Sequence, residues 1–389
     1  MPLNRRHFLK LASLGYFSAS FSLLGCTHKK FFNPDEDIIL SGGSYADGNT
    51  TQHALIVINL TVQEKRVIKT PFMPHQILID PNNKYRVYCF EKNGANACEV
   101  DLQKKSVRRN FQSTAGKFFS GHASFSQNGK QLYCIENNIN DDSDKQFGNV
   151  IIRDTETFKT TKMWLTQGLS AHDCQLTDKQ TFVVSHTGLS NSNQQTSLNY
   201  IVLETGQVIK RLYTSSDVIP NKLNNGHFEI DEENNLVIAS APLVSQKDSQ
   251  KNHLLGGVSI KKHNGQLITM KQPEIVIKRM TGEALSIEIS QQKKVAAVTH
   301  PDANLLTFWS IDKNQIIKAF GIEKPRGICQ TLNGENFIVS YGNKAAMAKI
   351  SINDLTPVSN SIVQPTHASG EHIINWSKTL RKIMPKNLY

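Results

Sequence analysis

The chain has 389 residues, 44 lysines and arginines against 33 acids, and a formal charge of +11. A chain of this length buries an ample core. Its basic residues are interspersed and form no aromatic–basic motif, which argues against nucleic acid as a partner.

In chain order, residues 1–25 read as an export signal. Asn4-Arg5-Arg6-His7-Phe8-Leu9-Lys10 resembles the twin-arginine signal, and Leu11 to Leu24 supplies an apolar stretch too short and serine-rich for a spanning helix. Leu23-Leu24-Gly25-Cys26 resembles a lipoprotein cleavage box, which would make Cys26 the lipidated first residue of the mature chain. Thr27 follows it, favouring the outer membrane over the inner. The expected address is the periplasm, with membrane contact through the N-terminal lipid alone. Residues 26–37 read as a tether. Residues 38–389 contain no Pro/Gly/Ser-rich linker and read as one domain.

A repeat dominates that domain. MPHQILID around His75, SGHASFS around His122, SAHDCQL around His172 and NGHFEID around His227 recur at spacings of 47, 50 and 55 residues. Each opens a short, partly apolar stretch that is followed by a turn and a second strand-like stretch. The frame continues through TGEALSIEIS with Glu283, KPRGICQT with Arg326 and SGEHIINW with Glu371 and His372. Seven units of short strands predict an all-β, seven-bladed β-propeller with four-stranded antiparallel blades. In the second unit the predicted strands are His122–Ser126, Gln131–Glu136, Asn149–Asp154 and Thr160–Leu165. Ile38–Leu40, His53–Leu60 and Arg66–Thr70 lack an innermost strand, which His372–Trp376 supplies from the other end of the chain. The last blade is therefore expected to close from both termini, which removes two open edges. Asn375–Met384 is the one stretch with helical character.

In such a wheel the start of each innermost strand faces one mouth of the channel. His75, His122, His172, His227, Glu283 and His372 are thus candidate metal ligands, and Arg326 a candidate for neutralising an anion. Crowded imidazoles depress each other's pKa, and neutral imidazole suits copper, iron, nickel or zinc. Three readings of the ring stay open here: structural hydrogen bonds between blades, a metal or haem-associated site, and acid/base catalysis. Glu136, Asn137, His186 and His300 fall where second strands emerge at the same face and are candidate supporting residues. The loop Asp141-Asp142-Ser143-Asp144 lacks the spacing of a calcium loop. No GxSxG, HExxH, Walker or Rossmann pattern is present.

Cys89 and Cys98 flank EKNGANA, where Asn93-Gly94 suits a two-residue hairpin turn. Counting outward from that turn sets the two cysteines opposite each other, a candidate disulfide pair in an exported protein; two buried free thiols are the alternative.

The stretches SGHASFSQNGKQLYCIENN, SAHDCQLTDKQTFVVSHTG, GEALSIEISQQKKVAAVTHPDANLLTFWSID and PRGICQTLNGENFIVSYG resemble the domain of unknown function 1513 family of exported bacterial propellers. The resemblance covers nearly all of the mature chain. It implies the propeller fold and twin-arginine export, and its members' genomic neighbours imply metal handling. Where that family's pattern has an acid after the Glu-Asn of the second unit, this chain has Asn138. The resemblance assigns no reaction. The expected role is binding or scaffolding at the histidine-rich face, of iron, copper or a periplasmic metalloprotein partner. The alternative is a metal-assisted hydrolase or lactonase.

Overall fold

The computed structural model describes residues 31–139, 147–178, 180–214, 222–244 and 253–384. The export and lipidation motifs with Cys26, and the Asp141–Asp144 loop, lie outside the described residues. Seven antiparallel sheets surround one channel as blades, as the repeat predicts. The innermost strands of blades one to six are Pro74–Asp80, Lys117–Phe125, Ala171–Leu176, His227–Ile230, Ile287–Ser290 and Ile328–Gln330. Blade six has three strands. Its outer edge is covered by a segment that bridges Met347 to Val363 and Ile350 to Pro357.

Blade seven is built from both ends of the chain. Ile373–Asn375 lies innermost and pairs with Ile38–Asp47 through Ser41↔Ile373, Leu40↔Ile374 and Ile39↔Asn375. Thr50–Asn59 and Glu64–Thr70 complete it. The chain then enters the helix Trp376–Ile383, whose N-cap Asn375 accepts a hydrogen bond from the Lys378 N–H at 3.2 Å.

Position in the blade explains the composition of each strand. Leu236–Ser240 and Val295–His300 are second strands, buried throughout because a blade packs on either side. Outermost strands such as Glu64–Thr70 alternate with water, and Met163, Leu165 and Ile209 are left exposed on others. Between blades the core is apolar: Trp309, Phe308 and Phe337 are fully buried, each such side chain stabilising by roughly 1.5–3 kcal/mol.

Neighbouring innermost strands are joined by amides. Gln76 Oε1 accepts from Ala123 N–H at 2.7 Å, and Gln175 both accepts from and donates to the Ile230 backbone at 3.0 and 2.9 Å. Asn137 makes the same double contact with Ala171, at 2.9 and 2.8 Å. Hydroxyls join them as well: Ser120 donates to the His172 carbonyl at 2.7 Å and Ser185 to the Gly226 carbonyl at 2.6 Å.

The tether reading holds only in part. Phe31 and Phe32 are buried in the core cluster of blades seven and one. Phe32 lies against Trp376 with centroids 5.4 Å apart, and the Arg66 guanidinium sits 3.8 Å over the Phe31 ring. Two aromatics within reach of an apolar seam gain more by docking than by staying solvated. Phe31 and Phe32, within the stretch read as a tether, are therefore packed against the folded body.

Candidate metal centre

Five innermost strands bring a histidine to one end of the channel: His75, His122, His172, His227 and His372. In blades one, two and three the ladder slips at this point, between Pro74 and Ile77, Phe119 and Ala123, and Ala171 and Cys174. A β-bulge breaks the strict alternation of side chains. His172 and Asp173, consecutive in sequence, consequently both face the centre. Gly121 occupies the second slip with φ +108°, and a Cβ there would stand 2.5 Å from His75 Cδ2. Glycine leaves the space the His75 ring fills.

The rings meet through their Nε2 atoms. His75 and His122 approach to 3.0 Å, His172 and His227 to 3.1 Å, and His227 and His372 to 3.1 Å. Ligand atoms of His75, His122, His172 and His227 all lie within 4.8 Å of one another, and those of His75, Glu371 and His372 form a second such group. Behind the rings stand polar partners. His122 Nδ1 is 3.0 Å from Asp173 Oδ1, and His75 Nδ1 is 3.4 Å from Glu371 Oε2. The Ser286 hydroxyl donates to the Glu371 carbonyl at 2.9 Å, which leaves it to accept from His372 Nδ1 at 3.2 Å. The Ser286 contact places the His372 proton on Nδ1, and the carboxylates beside His75 and His122 favour the same tautomer, with Nε2 lone pairs turned inward.

Electrostatics favours the neutral form in four of the five rings. Burial, then the neighbouring rings and Lys92, hold His75, His172 and His227 well below the ordinary imidazole range. Burial followed by His122 takes His372 down to about 3. The carboxylates go the other way. Burial opposes ionisation of Glu371, but Lys92, which pairs with it directly, overcomes that and lowers its pKa, with His372 and Arg326 adding to the effect. Asp173 is likewise lowered against burial by His122.

The structure thus gathers five of the six expected ligands and leaves one out. Among the described residues Glu283 belongs to neither ligand group, and its backbone N–H donates to Asp302 Oδ2 at 3.3 Å. Blade five's innermost strand starts only at Ile287, so the position equivalent to His372 falls on Ser286. Arg326, expected to neutralise an anion, donates its backbone N–H to the Ser340 carbonyl at 2.8 Å. Gly327, beside it, packs on the backbone of His372 and Ile373, where a Cβ would come within 2.9 Å of both, and the Arg326 charge acts on Glu371.

The expected supporting residues are buried and hydrogen-bonded within or between blades. Glu136, fully buried, accepts from Arg153 at 2.6 Å and Thr114 N–H at 2.9 Å, and Asn137 staples blades two and three. His186 is held by Thr166 Oγ1 at 2.8 Å and the Ser197 carbonyl at 3.0 Å, and burial lowers it to about 4. His300 contacts Thr307 Oγ1 at 2.9 Å, with burial taking it to about 3. The residues that support the rings are Asp173, Glu371, Ser286 and Lys92. Cys89 and Cys98 pair in register as the turn count predicts, but as free buried thiols. A hydrogen bond with Cys98 and then burial hold the Cys89 thiol well above its usual value.

Known structures share the architecture across low identity. Hydrazine synthase from Kuenenia stuttgartiensis aligns with a TM-score of 0.59 at 12% identity, over 85% of this chain and 99% of that one. The dihydro-heme d1 dehydrogenase NirN in complex with DHE gives 0.58 at 11% identity, over 92% and 78%. The C-terminal WD40 domain of Sif2 gives 0.51 at 12%, over 88% and 84%. Such likeness speaks for the fold alone. No curated protein matches the sequence. The family model described as "Protein of unknown function (DUF1513)" matches residues 68–373, and the chain belongs to that family.

Proposed function

We propose that this protein binds a transition-metal ion at the channel mouth, through Nε2 atoms of His75, His122, His172, His227 and His372. The observation that carries the reading is the 3.0 Å approach of His75 Nε2 to His122 Nε2. Both rings have a carboxylate beside Nδ1, and in the tautomer this favours, two lone pairs face each other across that gap. Burial disfavours a proton there, since His75 is driven to its neutral form. A cation relieves the repulsion. Two imidazole nitrogens bound to one ion at ~2.0–2.1 Å stand about 2.9 Å apart at a right angle and about 3.3 Å apart at the tetrahedral angle. The separations of 3.0 and 3.1 Å fall within that span. An all-imidazole set suits copper, iron, nickel or zinc. The carboxylate–histidine pairs at Asp173 and Glu371 are the kind that raise ligand basicity.

The sequence supplies the setting. The twin-arginine and lipoprotein motifs ending at Cys26 support a lipid-anchored, periplasm-facing protein, with the outer membrane as its site. Twin-arginine export carries proteins already folded, which suits a centre filled before export. The proposed role is to hold or pass on the ion, with a periplasmic metalloprotein as the partner.

Elemental analysis of protein purified after native export tests the reading. Stoichiometric copper, iron, nickel or zinc in the wild type, lost in His122→Ala/His172→Ala but kept in His186→Ala, is expected. Wild-type protein without metal that also fails to take up any of the four on dialysis would overturn it.

A further inference from the structure

We propose that the protein touches the membrane a second time, beyond its N-terminal lipid, through a basic rim on blades seven and one that fits an anionic phospholipid surface. The inference rests on the lipid-anchor reading and is independent of the metal. Phe31 and Phe32 fix where the anchor meets the wheel. The Arg66 guanidinium covers the Phe31 ring at 3.8 Å, and the Phe32 ring lies 5.7 Å from that of Tyr85. Cys26 is five residues before Phe31, a stretch that reaches at most about 18 Å when fully extended. A lipid on Cys26 thus holds this part of the wheel close to the headgroups, within about two Debye lengths at physiological salt.

The residues around the docked phenylalanines have the charge for that surface. Tyr85 lines one small cleft together with Arg86, Lys104 and Arg108, and the Lys84 ammonium sits 5.6 Å from the Tyr85 ring. Lys104 and Lys105 are exposed in the turn between Asn96–Asp101 and Ser106–Gln112, and Arg108 is 49% exposed. Ser106–Gln112, the outermost strand of blade one, adjoins Glu64–Thr70 of blade seven, which carries Arg66. Most acids nearby are engaged. Glu99 and Asp80 are 0% and 5% exposed, held by Arg86 and, for Glu99, by Arg108. Asp35 and Asp37 are paired with Arg381 and Lys349 at 2.7 and 3.3 Å. Glu36, Glu64 and Asp101 remain, against Arg66, Lys84, Lys104, Lys105 and Arg108. Lys29 and Lys30 precede Phe31 in the sequence and carry the same sign as the rim. A lipid combined with clustered lysines and arginines is a pairing that fixes a protein on an anionic bilayer. The histidine mouth is then turned from the membrane. Ile373–Asn375 leads away from His372 to Trp376, whose ring is 5.4 Å from Phe32.

The test uses the lipidated protein purified after native export and placed on vesicles of phosphatidylcholine alone or with phosphatidylglycerol. Lysines are methylated in a brief pulse and located by mass spectrometry. On the anionic vesicles Lys84, Lys104 and Lys105 are expected to react at least about fivefold more slowly than on the neutral ones. Lys344, exposed in a turn at the mouth end, should react equally on both. Lys104→Glu/Lys105→Glu should abolish the protection of Lys84 while acylation of Cys26 and the circular dichroism spectrum stay as in the wild type. Rim lysines that react equally on both vesicles, or Lys84 protection that survives in the variant, would overturn the basic rim and leave the lipid anchor standing. An N-terminal peptide without acyl chains removes the anchor and the rim together.

Discussion

His75 and His122 point their Nε2 atoms at each other across 3.0 Å while their Nδ1 atoms face Glu371 and Asp173. Residues 47 positions apart in sequence thereby form one carboxylate–imidazole–imidazole–carboxylate line through the channel mouth. The ring histidines thus reach neighbouring blades through Nδ1 while their Nε2 atoms face one another.

Asp173 tunes a ligand without being one. Asp173→Asn keeps an acceptor for the Phe228 N–H, 3.3 Å away in the wild type, but gives up the negative charge behind His122. Metal affinity is expected to drop by about 10–100-fold, with an unchanged circular dichroism spectrum. Competition against a chelator of known affinity measures it, and an unaltered dissociation constant would count against the orientation assigned to His122.

Acid is expected to weaken the metal-free protein. His186, His300 and His372 have folded-state values of about 4, about 3 and about 3, and His75, His172 and His227 are also lowered. The unfolded chain, with imidazoles near 6.5, binds more protons than the folded one below that pH. Their contribution is complete above about pH 6.5 and declines towards the folded values at about 1.4 kcal/mol per pH unit for each histidine. A Tm series on apo-protein from pH 7.5 to 4.5 should fall steadily; a flat series would contradict the burial of these rings in neutral form.

Metal occupancy should respond to pH differently. Ordinary histidine sites lose their ions as imidazoles protonate near 6.5. Here the free imidazoles of His75, His172 and His227 are already deprotonated well below that value. Protonation of these three rings is therefore expected to add little to any fall in affinity between pH 7 and 5.5, as read by equilibrium dialysis over conditions where the fold persists. A fall of a hundredfold across that range would mean the rings titrate as exposed ones do.

Away from the centre, Glu99 is fully buried and takes Arg108 at 2.7 Å, Arg109 at 2.8 Å and Arg86 at 3.1 Å. Glu99→Gln takes away the charge that three guanidinium groups share, while Arg86 keeps Asp80 at 3.3 Å. Because the arginines are partly exposed, the expected loss is about 2–3 kcal/mol, less than for a wholly buried pair. Urea denaturation measures this, and metal content should not change.

Much of this was legible in the amino-acid sequence, and the reasons for the remainder are local. Four histidines recur in one frame, so His75, His122, His172 and His227 could be set around a common axis without coordinates. The closing strand and its helix could be read from unmatched strands at the two ends. Glu283 misled because the frame was aligned on the motif, whereas the blade-five strand starts at Ile287 and puts Ser286 in the slot. Asp173 was passed over because a regular strand would send it away from His172, and only the slip between Ala171 and Cys174 brings both to one side. Lys92 sits in a hairpin turn whose direction depends on blade packing. His186 and His300 carry no mark in sequence to separate them from ring histidines; what distinguishes them is a threonine hydroxyl, from the neighbouring blade for His186 and from the next strand for His300.

The last ligand, His372, precedes the strand that joins the two ends of the chain. Synthesis must reach the final twenty or so residues before that imidazole can take its place, and by then every other blade has been made. An ion grasped by His372 together with His75 and His227 would act as a clasp on the wheel. Opening the seam would break coordination, and stripping the ion would loosen the seam, so assembly and loading become two descriptions of one event.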